Sequence, residues 1–397
     1  VVRLDLVLKI KGAFRNNMRQ YAMLIALIVI VAFFQVLTEG ILLMPRNVTR
    51  LILQNSHVLI LAIGMVLCIL TGGNIDLSVG SVVAFVSAMS AYFSVTLGLP
   101  VFVSIVLGLL CGLLAGMWQG FWIAYIKIPA FIVTLGGMLV FRGINNLILD
   151  GQTIGLPQTY VTLASGVIPD FIGGNGALHI ATLAIGVVCS VIYLVLSVLS
   201  RLNKIKQDFE VMDIRAFILK ITAIVAIINL ATYWLAMDDG LPNVFILVAV
   251  LIAAYTFLTT RTIAGRHIYA LGGNAKAAEL SGVNTKKVLF WVYANMGLLS
   301  ALAGIIFAGR LNSASPTAGV GFELDAIAAC FIGGASASGG IGTVMGAVIG
   351  AFIMGVLNNG MSIMGVSTFW QNIIKGLVLL AAVAFDVYSK SRAKKSA

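Results

Sequence analysis

The residues of this 397-residue chain that could do chemistry stand inside long apolar stretches. Asp76 follows a Gly-Gly break in TGGNIDLSVG, Glu323 and Asp325 open ELDAIAACFIGG, and Arg142, Arg310 and Lys375 interrupt apolar runs. An ionisable side chain in such a place is costly and needs a partner, a water-lined route or a function. An ion-coupled carrier would want several carboxylates at mid-membrane, and only Asp76 could qualify. Its spacing also suits an N-cap for a helix starting at Leu77, accepting the N–H of Ser78 or Val79. Asp325 can cap Ala326–Ala329 in the same way. Lys220 and Asp386 lie near segment ends, where snorkelling suffices. No G-x-x-x-x-G-K-[ST], no metal-spaced Cys/His set and no G-x-S-x-G occurs. Cys68, Cys111, Cys189 and Cys330 read as small buried residues, and His57, His179 and His267 as packing or surface. An enzyme, a cofactor and a metal site are therefore not expected in this chain.

The elements that must hold these residues follow from composition. Hydrophobic residues make up 60% and charged residues 10%, with a mean hydropathy of +1.07; ordinary soluble domains hold roughly 45–50% and about 25%. A soluble enzyme, a disordered chain and a nucleic-acid-binding domain are excluded, the net charge of +11 notwithstanding. The expected fold is an all-α polytopic membrane protein occupying 1–397 as a single domain. Its twelve apolar segments are 21–38, 55–71, 75–98, 101–126, 130–149, 177–199, 216–236, 243–260, 288–309, 324–337, 340–359 and 369–387. Segments 55–71 and 324–337 are short and run into Gly-rich breaks. The run 21–38 lacks a small-x-small cleavage pattern and reads as an uncleaved span.

Charge supports this map. Of 25 basic residues, 19 lie in 1–20, at Lys127, and in 200–215, 261–287 and 390–397. Twelve spans put all of these on one side, the cytoplasm by the positive-inside rule, together with both termini. Glu39, Asp150, Asp170, Asp238 and Asp239 fall opposite.

Two sets of small residues recur every four positions: Gly108, Gly112, Gly116 and Gly120, and Ser338, Gly342, Gly346 and Gly350. Each makes a smooth helix face that serves packing within the chain, the favoured reading, or a subunit interface. The stretch 68–80 also echoes 330–346: apolar run, Gly-rich break, new helix. Transporters place binding or gating at such paired breaks.

The loop 261–287 is the other organised segment. Asn274 is a good N-cap, Ala275–Ser281 a two-turn helix and Gly282 a natural stop. Ala275, Ala277 and Ala278 keep that helix slim, Lys276 and Glu279 can pair on its surface, and Gly272 and Gly273 permit a tight turn before it. So short a helix needs a surface to pack on, either its own bundle or a cytoplasmic partner.

Four motifs then bring a resemblance: GGNIDLSVGS (72–81), PAFIVTLGGMLVFRG (129–143), GRHIYALGGNAKAAELSGVN (265–284) and ELDAIAACFIGG…GVLNNG (323–360). Together they resemble the signatures of bacterial sugar ABC-importer permeases of the ribose, xylose and galactose type, within the branched-chain amino-acid and sugar permease superfamily. The extra span pair around 177–236 is similar to that of xylose and multiple-monosaccharide permeases. The resemblance implies two permease chains forming the pathway, an extracytoplasmic sugar-binding protein, and a cytoplasmic ATPase that binds ATP-Mg and docks on 261–287. Residue type and location suggest Asn74, Asp76, Ser78, Phe131, Asn145, Asn358, Asn359, Trp370 and Gln371 for the sugar pathway. The competing expectations are a permease for a nucleoside or branched-chain amino acid, an ion-coupled secondary carrier, and a passive channel.

Overall fold

The computed structural model describes residues 18–173, 178–209 and 211–395. The basic residues Arg3, Lys9, Lys11 and Arg15 lie outside them. The chain runs through α1 (Met18–Leu37), α2 (Pro45–Leu70), α3 (Val79–Ala91, extended by a wide turn to Thr96), α4 (Val101–Ala124) and α5 (Ala130–Leu149). A two-residue strand β1 (Ile154–Gly155) and a short helix α6 (Gln158–Ser165) follow. Then come α7 (Ile180–Lys206), α8 (Ile214–Ala236), α9 (Asn243–Arg261), α10 (Ile263–Gly273), α11 (Ala275–Leu280) and α12 (Thr285–Leu311). Strand β2 (Ser313–Ala314), α13 (Phe322–Ile332), α14 (Val344–Ile363) and α15 (Thr368–Lys395) complete it. β1 and β2 pair antiparallel, Ile154 opposite Ala314. Ten helices among the described residues are long and apolar enough to cross a membrane, as an all-α polytopic fold requires.

Segment 55–71 is not short. Pro45 occupies the first turn, where its missing N–H costs nothing, and the helix runs 26 residues to Leu70. Polar Asn47, Thr49, Arg50 and Asn55 hid that start from a hydropathy reading. Segment 324–337 is short: α13 has 11 residues, about 16 Å of rise, half a bilayer.

α2 is the axis of the bundle. Nearly every side chain from Val58 to Leu70 is buried, against α12, α13, α14 and α9. The glycine stripe of α4 faces α12 of the same chain. A methyl group at Gly112 would strike Ala301 and the Gly297 carbonyl, and one at Gly116 would come within 2.9 Å of the Gly297 backbone. The stripe is thus spent on internal packing, as small faces allow. The second stripe is only half helical. Ser338 and Gly342 precede α14, and Gly346 and Gly350 face the backbone of Gly333 and Ala329. Gly342 has φ 150° and belongs to the break before the helix. Cys68 and Cys330 are buried, but Cys111 is half-buried and Cys189 exposed on α7.

Candidate functional site

Two chain breaks meet at one end of the α2 axis. α2 stops at Leu70, where Gly72 and Gly73 take φ 122° and 76°. Asn74 donates back to the Thr71 carbonyl at 3.3 Å and to its hydroxyl at 3.2 Å. Asp76 Oδ1 accepts the Ser78 N–H at 2.8 Å and its hydroxyl at 2.6 Å, so the carboxylate closes the turn one residue before α3. Gln119 of α4, which sequence reasoning passed over, donates to Ser78 Oγ at 2.6 Å. The second break separates α13 from α14. Ser336 N–H reaches the Ile341 carbonyl at 2.8 Å, and Thr343 caps α14 by accepting the Gly346 N–H at 3.0 Å.

The breaks interlock. Gly340 N–H donates to the Leu70 carbonyl at 3.1 Å. A side chain at Gly73 would collide with the Ala337 carbonyl, and one at Gly339 with the Gly72 backbone. Only glycine lets two backbones come this close.

α10 stands on this junction. Sequence reading placed a turn at Gly272 and Gly273; both instead end an 11-residue helix. A Cβ at Gly272 would overlap the Leu70 carbonyl and approach Gly340 N within 2.6 Å, and Tyr269 donates to the Gly342 carbonyl at 2.7 Å. One helix therefore touches both breaks. α11 continues from it, with Asn274 Oδ1 accepting the Ala277 N–H at 3.0 Å and Gly282 at φ 87° beyond its end. Ala275, Ala277, Lys276 and Glu279 are exposed, and Leu280 is 83% exposed. Ala278 is not on the outward face: it is buried against its own chain, 5% exposed. Among the described residues Lys276 and Glu279 form no ion pair.

A second polar group lies along α2 toward α13. The His57 ring sits between Phe322 (4.2 Å between centroids) and Phe307 (5.2 Å), with no hydrogen-bond partner on Nδ1. The Arg310 guanidinium stacks over Phe307 at 5.4 Å. Lys375 of α15 pairs with Asp325 of α13 at 3.1 Å, so Asp325 is an ion-pair member within the first turn rather than an N-cap. Arg142 of α5 holds the loop before α13 by donating to the Pro316 and Ala318 carbonyls, and Asn145 donates to Pro316 at 3.1 Å. His57 carried no sequence signal that separates it from a packing histidine; the charged members were visible as ionisable residues in apolar segments.

The pathway candidates do not form one site. Asn74, Asp76 and Ser78 share the first break, and Asn145 braces the 312–321 loop. Asn358 lies half-buried, while Asn359 exchanges hydrogen bonds with Asn47, tying α14 to the start of α2. Gln371 donates to the Val366 carbonyl at 2.8 Å, and Phe131 and Trp370 are exposed. Among the described residues, no three His, Cys, Asp or Glu side chains are grouped to hold a metal ion.

Known proteins resemble the chain over nearly its whole length. The xylose transport system permease protein XylH of Haemophilus influenzae is 41% identical over 377 residues, 95% of this chain and 98% of that protein. XylH of Escherichia coli K12 is 41% identical over 385 residues, 95% and 93% of the two chains. The ribose import permease protein RbsC of Haemophilus influenzae is 35% identical over 382 residues, 95% of each. No solved structure matches the chain. Residues 47–383, which contain both breaks and the helix that touches them, match the family described as branched-chain amino acid transport system, permease component, and the chain belongs to that permease family.

Proposed function

We propose that this chain is the membrane-spanning permease subunit of an ATP-driven importer of a monosaccharide, with xylose the first sugar to test. The observation that carries the reading is the contact of α10 with both breaks. A push on α11 from a partner is delivered by Gly272 and Tyr269 to the ends of two broken helices at once. Broken helices are where transporters switch access. The chain has no phosphate-binding loop, so energy enters through a protein contact. That contact is α11, docked by a cytoplasmic ATPase that binds ATP-Mg in its own subunit. A sugar-binding protein delivers substrate on the opposite side, and a second copy of the chain completes the pathway. Both termini and α11 then face the cytoplasm, as the basic residues favour. The polar group around His57, Phe307, Phe322 and Arg310 offers ring faces and donors of the kind a sugar's C–H faces and hydroxyls use. The curated relatives named for xylose and ribose support the sugar class.

The test is reconstitution in liposomes with a candidate sugar-importer ATPase and a candidate sugar-binding protein. ATP-dependent uptake of xylose above other sugars is expected. Leu280→Arg, on the exposed face of α11, should abolish uptake while the chain stays folded; the buried position of Ala278 makes it unsuitable for this purpose. Uptake driven by a proton or sodium gradient without the ATPase would overturn the reading, as would normal uptake by Leu280→Arg.

A further inference from the structure

We propose that the cavity between the far ends of α7 and α8 binds the phosphate headgroup of an anionic phospholipid. Neither the family match nor the importer reading assigns any role to this place, and the inference does not depend on that reading. α7 and α8 pack chiefly on each other. Of their most apolar stretches only 17% and 0% of residues are buried, and Val188, Val191, Ile192, Val195 and Ile227 face outward. An apolar face left this open by the rest of the chain suits contact with lipid.

Where the helices splay, near Lys206 and Ile214, they border an open cavity of about 370 Å³. Tyr193, Ser197, Ser200 and Lys204 come from one face of α7, spaced by four, three and four positions. Arg201 of α7 and Lys220 of α8 also line it. Among the described residues the lining thus holds three cations, two hydroxyls and a phenol, and no carboxylate. Arg201 is preset: Nη1 donates to the Met212 carbonyl at 2.7 Å, and the guanidinium lies 4.6 Å over the Phe217 ring. A guanidinium has five N–H donors, so others remain for phosphate. Nearby Asp213 is engaged, accepting the Arg215 N–H at 3.1 Å as the cap of α8. Among the described residues the Asp325–Lys375 pair is the ion pair found, so Arg201, Lys204 and Lys220 have no carboxylate partner there.

The depth fits a headgroup. α7 starts where α8 ends, since His179 N–H donates to the Ala236 carbonyl at 2.9 Å. α9 then leaves from that same level and finishes at Arg261, beside α10 and α11. The cavity therefore opens at the α11 end, on the basic side of the molecule, where clustered Lys and Arg between spans attract anionic headgroups. A free phosphate ion would use the cations alone. The cavity wall also includes Leu196, Val211 and Met212 and runs on to the exposed apolar face of the pair, which an acyl chain can follow. That continuity selects the lipid.

The test uses the full chain in detergent, exposed to equal amounts of phosphatidylglycerol and phosphatidylcholine with matched acyl chains and read by native mass spectrometry. The wild type should retain one phosphatidylglycerol per chain in clear preference. Lys204→Gln with Lys220→Gln, both exposed positions, should reduce that preference by about fivefold per lysine, leaving phosphatidylcholine retention unchanged. Inorganic phosphate at concentrations equal to the lipid should not displace it. Equal retention of the two lipids by the wild type, preference undiminished in the folded double variant, or displacement by inorganic phosphate would each overturn the proposal. If the double variant does not fold, the wild-type preference and the phosphate competition still decide it.

Discussion

Helix α2 and the pair α7–α8 are apolar to nearly the same degree, with mean hydropathies of 2.0, 2.5 and 2.0 over their central stretches, yet 83% of α2 is buried there against 17% and 0% of the pair. In water that difference would be written in hydrophobicity. In lipid it cannot be, because hydrocarbon chains are as apolar as leucine and give no preference for helix over lipid. What separates the two regions is small and polar content. α2 carries Asn55, Ser56, His57, Gly64 and Cys68 on buried positions, and Asn55 donates to the Ala351 carbonyl of α14 at 2.8 Å. The pair has the same devices chiefly on its one shared seam, Gly186 against Thr232 and Asn229 donating to Ser190 at 2.8 Å, and reaches the rest of the bundle by few polar contacts, such as Trp234 Nε1 donating to the Leu43 carbonyl at 2.7 Å. Contacts, not apolarity, mark the core.

The largest expected effect pits one glycine of each region against the other. Gly112→Leu forces α4 off α12, where the two backbones touch, and overpacking of this kind costs about 1–3 kcal/mol or more. The amount of folded protein in the membrane should fall several-fold and uptake should vanish. Gly186→Leu meets Thr232 Cβ at 2.8 Å, an equally tight place, but separates only α7 from α8. It should leave most of the folded protein and most of the uptake. Equal loss from both variants, measured by membrane yield and thermal unfolding, would show that the pair is part of the core.

Next comes the ion pair that fastens α15 to α13. Lys375→Ala leaves Asp325, 7% exposed, without its partner, and an unpaired buried charge costs about 3 kcal/mol or more. Asp325→Leu with Lys375→Met removes both charges and should recover most of the unfolding temperature. If the double replacement were no better than Lys375→Ala, the charges would serve something beyond holding the helices together.

How much of this could be read from residues depends on the same contrast. The spans, the α4 stripe and the capped helix at Asn274 were legible because each is a local pattern: an apolar length, a spacing of four, a capping residue before alanines. The start of α2 was not, because Asn47, Thr49 and Arg50 are polar residues in a helix with partners as far as 312 positions away, as in the Asn47–Asn359 contact. The short segment 324–337 was legible as short, but its break could not be matched to Leu70 and Gly272 without their positions in space. The pathway candidates scattered for a related reason. Asn and Gln suit a sugar's hydroxyls, yet Asn145 and Gln371 are occupied with backbone carbonyls and Asn359 with Asn47. Amide side chains in lipid bind protein first, and no sequence pattern says which of them is left over.

Asp76 tests the core on a finer scale. Its carboxylate accepts two bonds from Ser78 and thereby sets the register of the first break. Asparagine offers an oxygen at the same place, so Asp76→Asn should keep most of the uptake, whereas Asp76→Ala loses the turn at a cost of about 1 kcal/mol. Folded Asp76→Asn protein without transport would mean the charge itself is needed, and the ion-coupled reading would gain.

The smallest effect belongs to the rim of the pair. Asp170, in the loop before α7, accepts the N–H groups of Ile172, Gly173, Ile180 and Ala181 at 3.0–3.3 Å. Desolvation pushes its carboxyl up, but the bonds from Ala181, Ile180 and Ile172 and the nearby His179 outweigh it and hold it below the usual carboxylate range. A carboxyl held low when folded stabilises the fold above its unfolded value, and that contribution is lost as pH falls through the folded value. The start of α7 should therefore loosen as the medium becomes acidic below the usual carboxylate range, with no change near neutrality. Hydrogen exchange of the peptide covering 178–183, corrected for the intrinsic pH dependence of exchange, reads this directly. Asp170→Ala should exchange faster at neutral pH and show no further acid step. If the wild type lost no protection there on acidification, while α2 did, the pair would be anchored by its seam alone and the cap at Asp170 would contribute nothing.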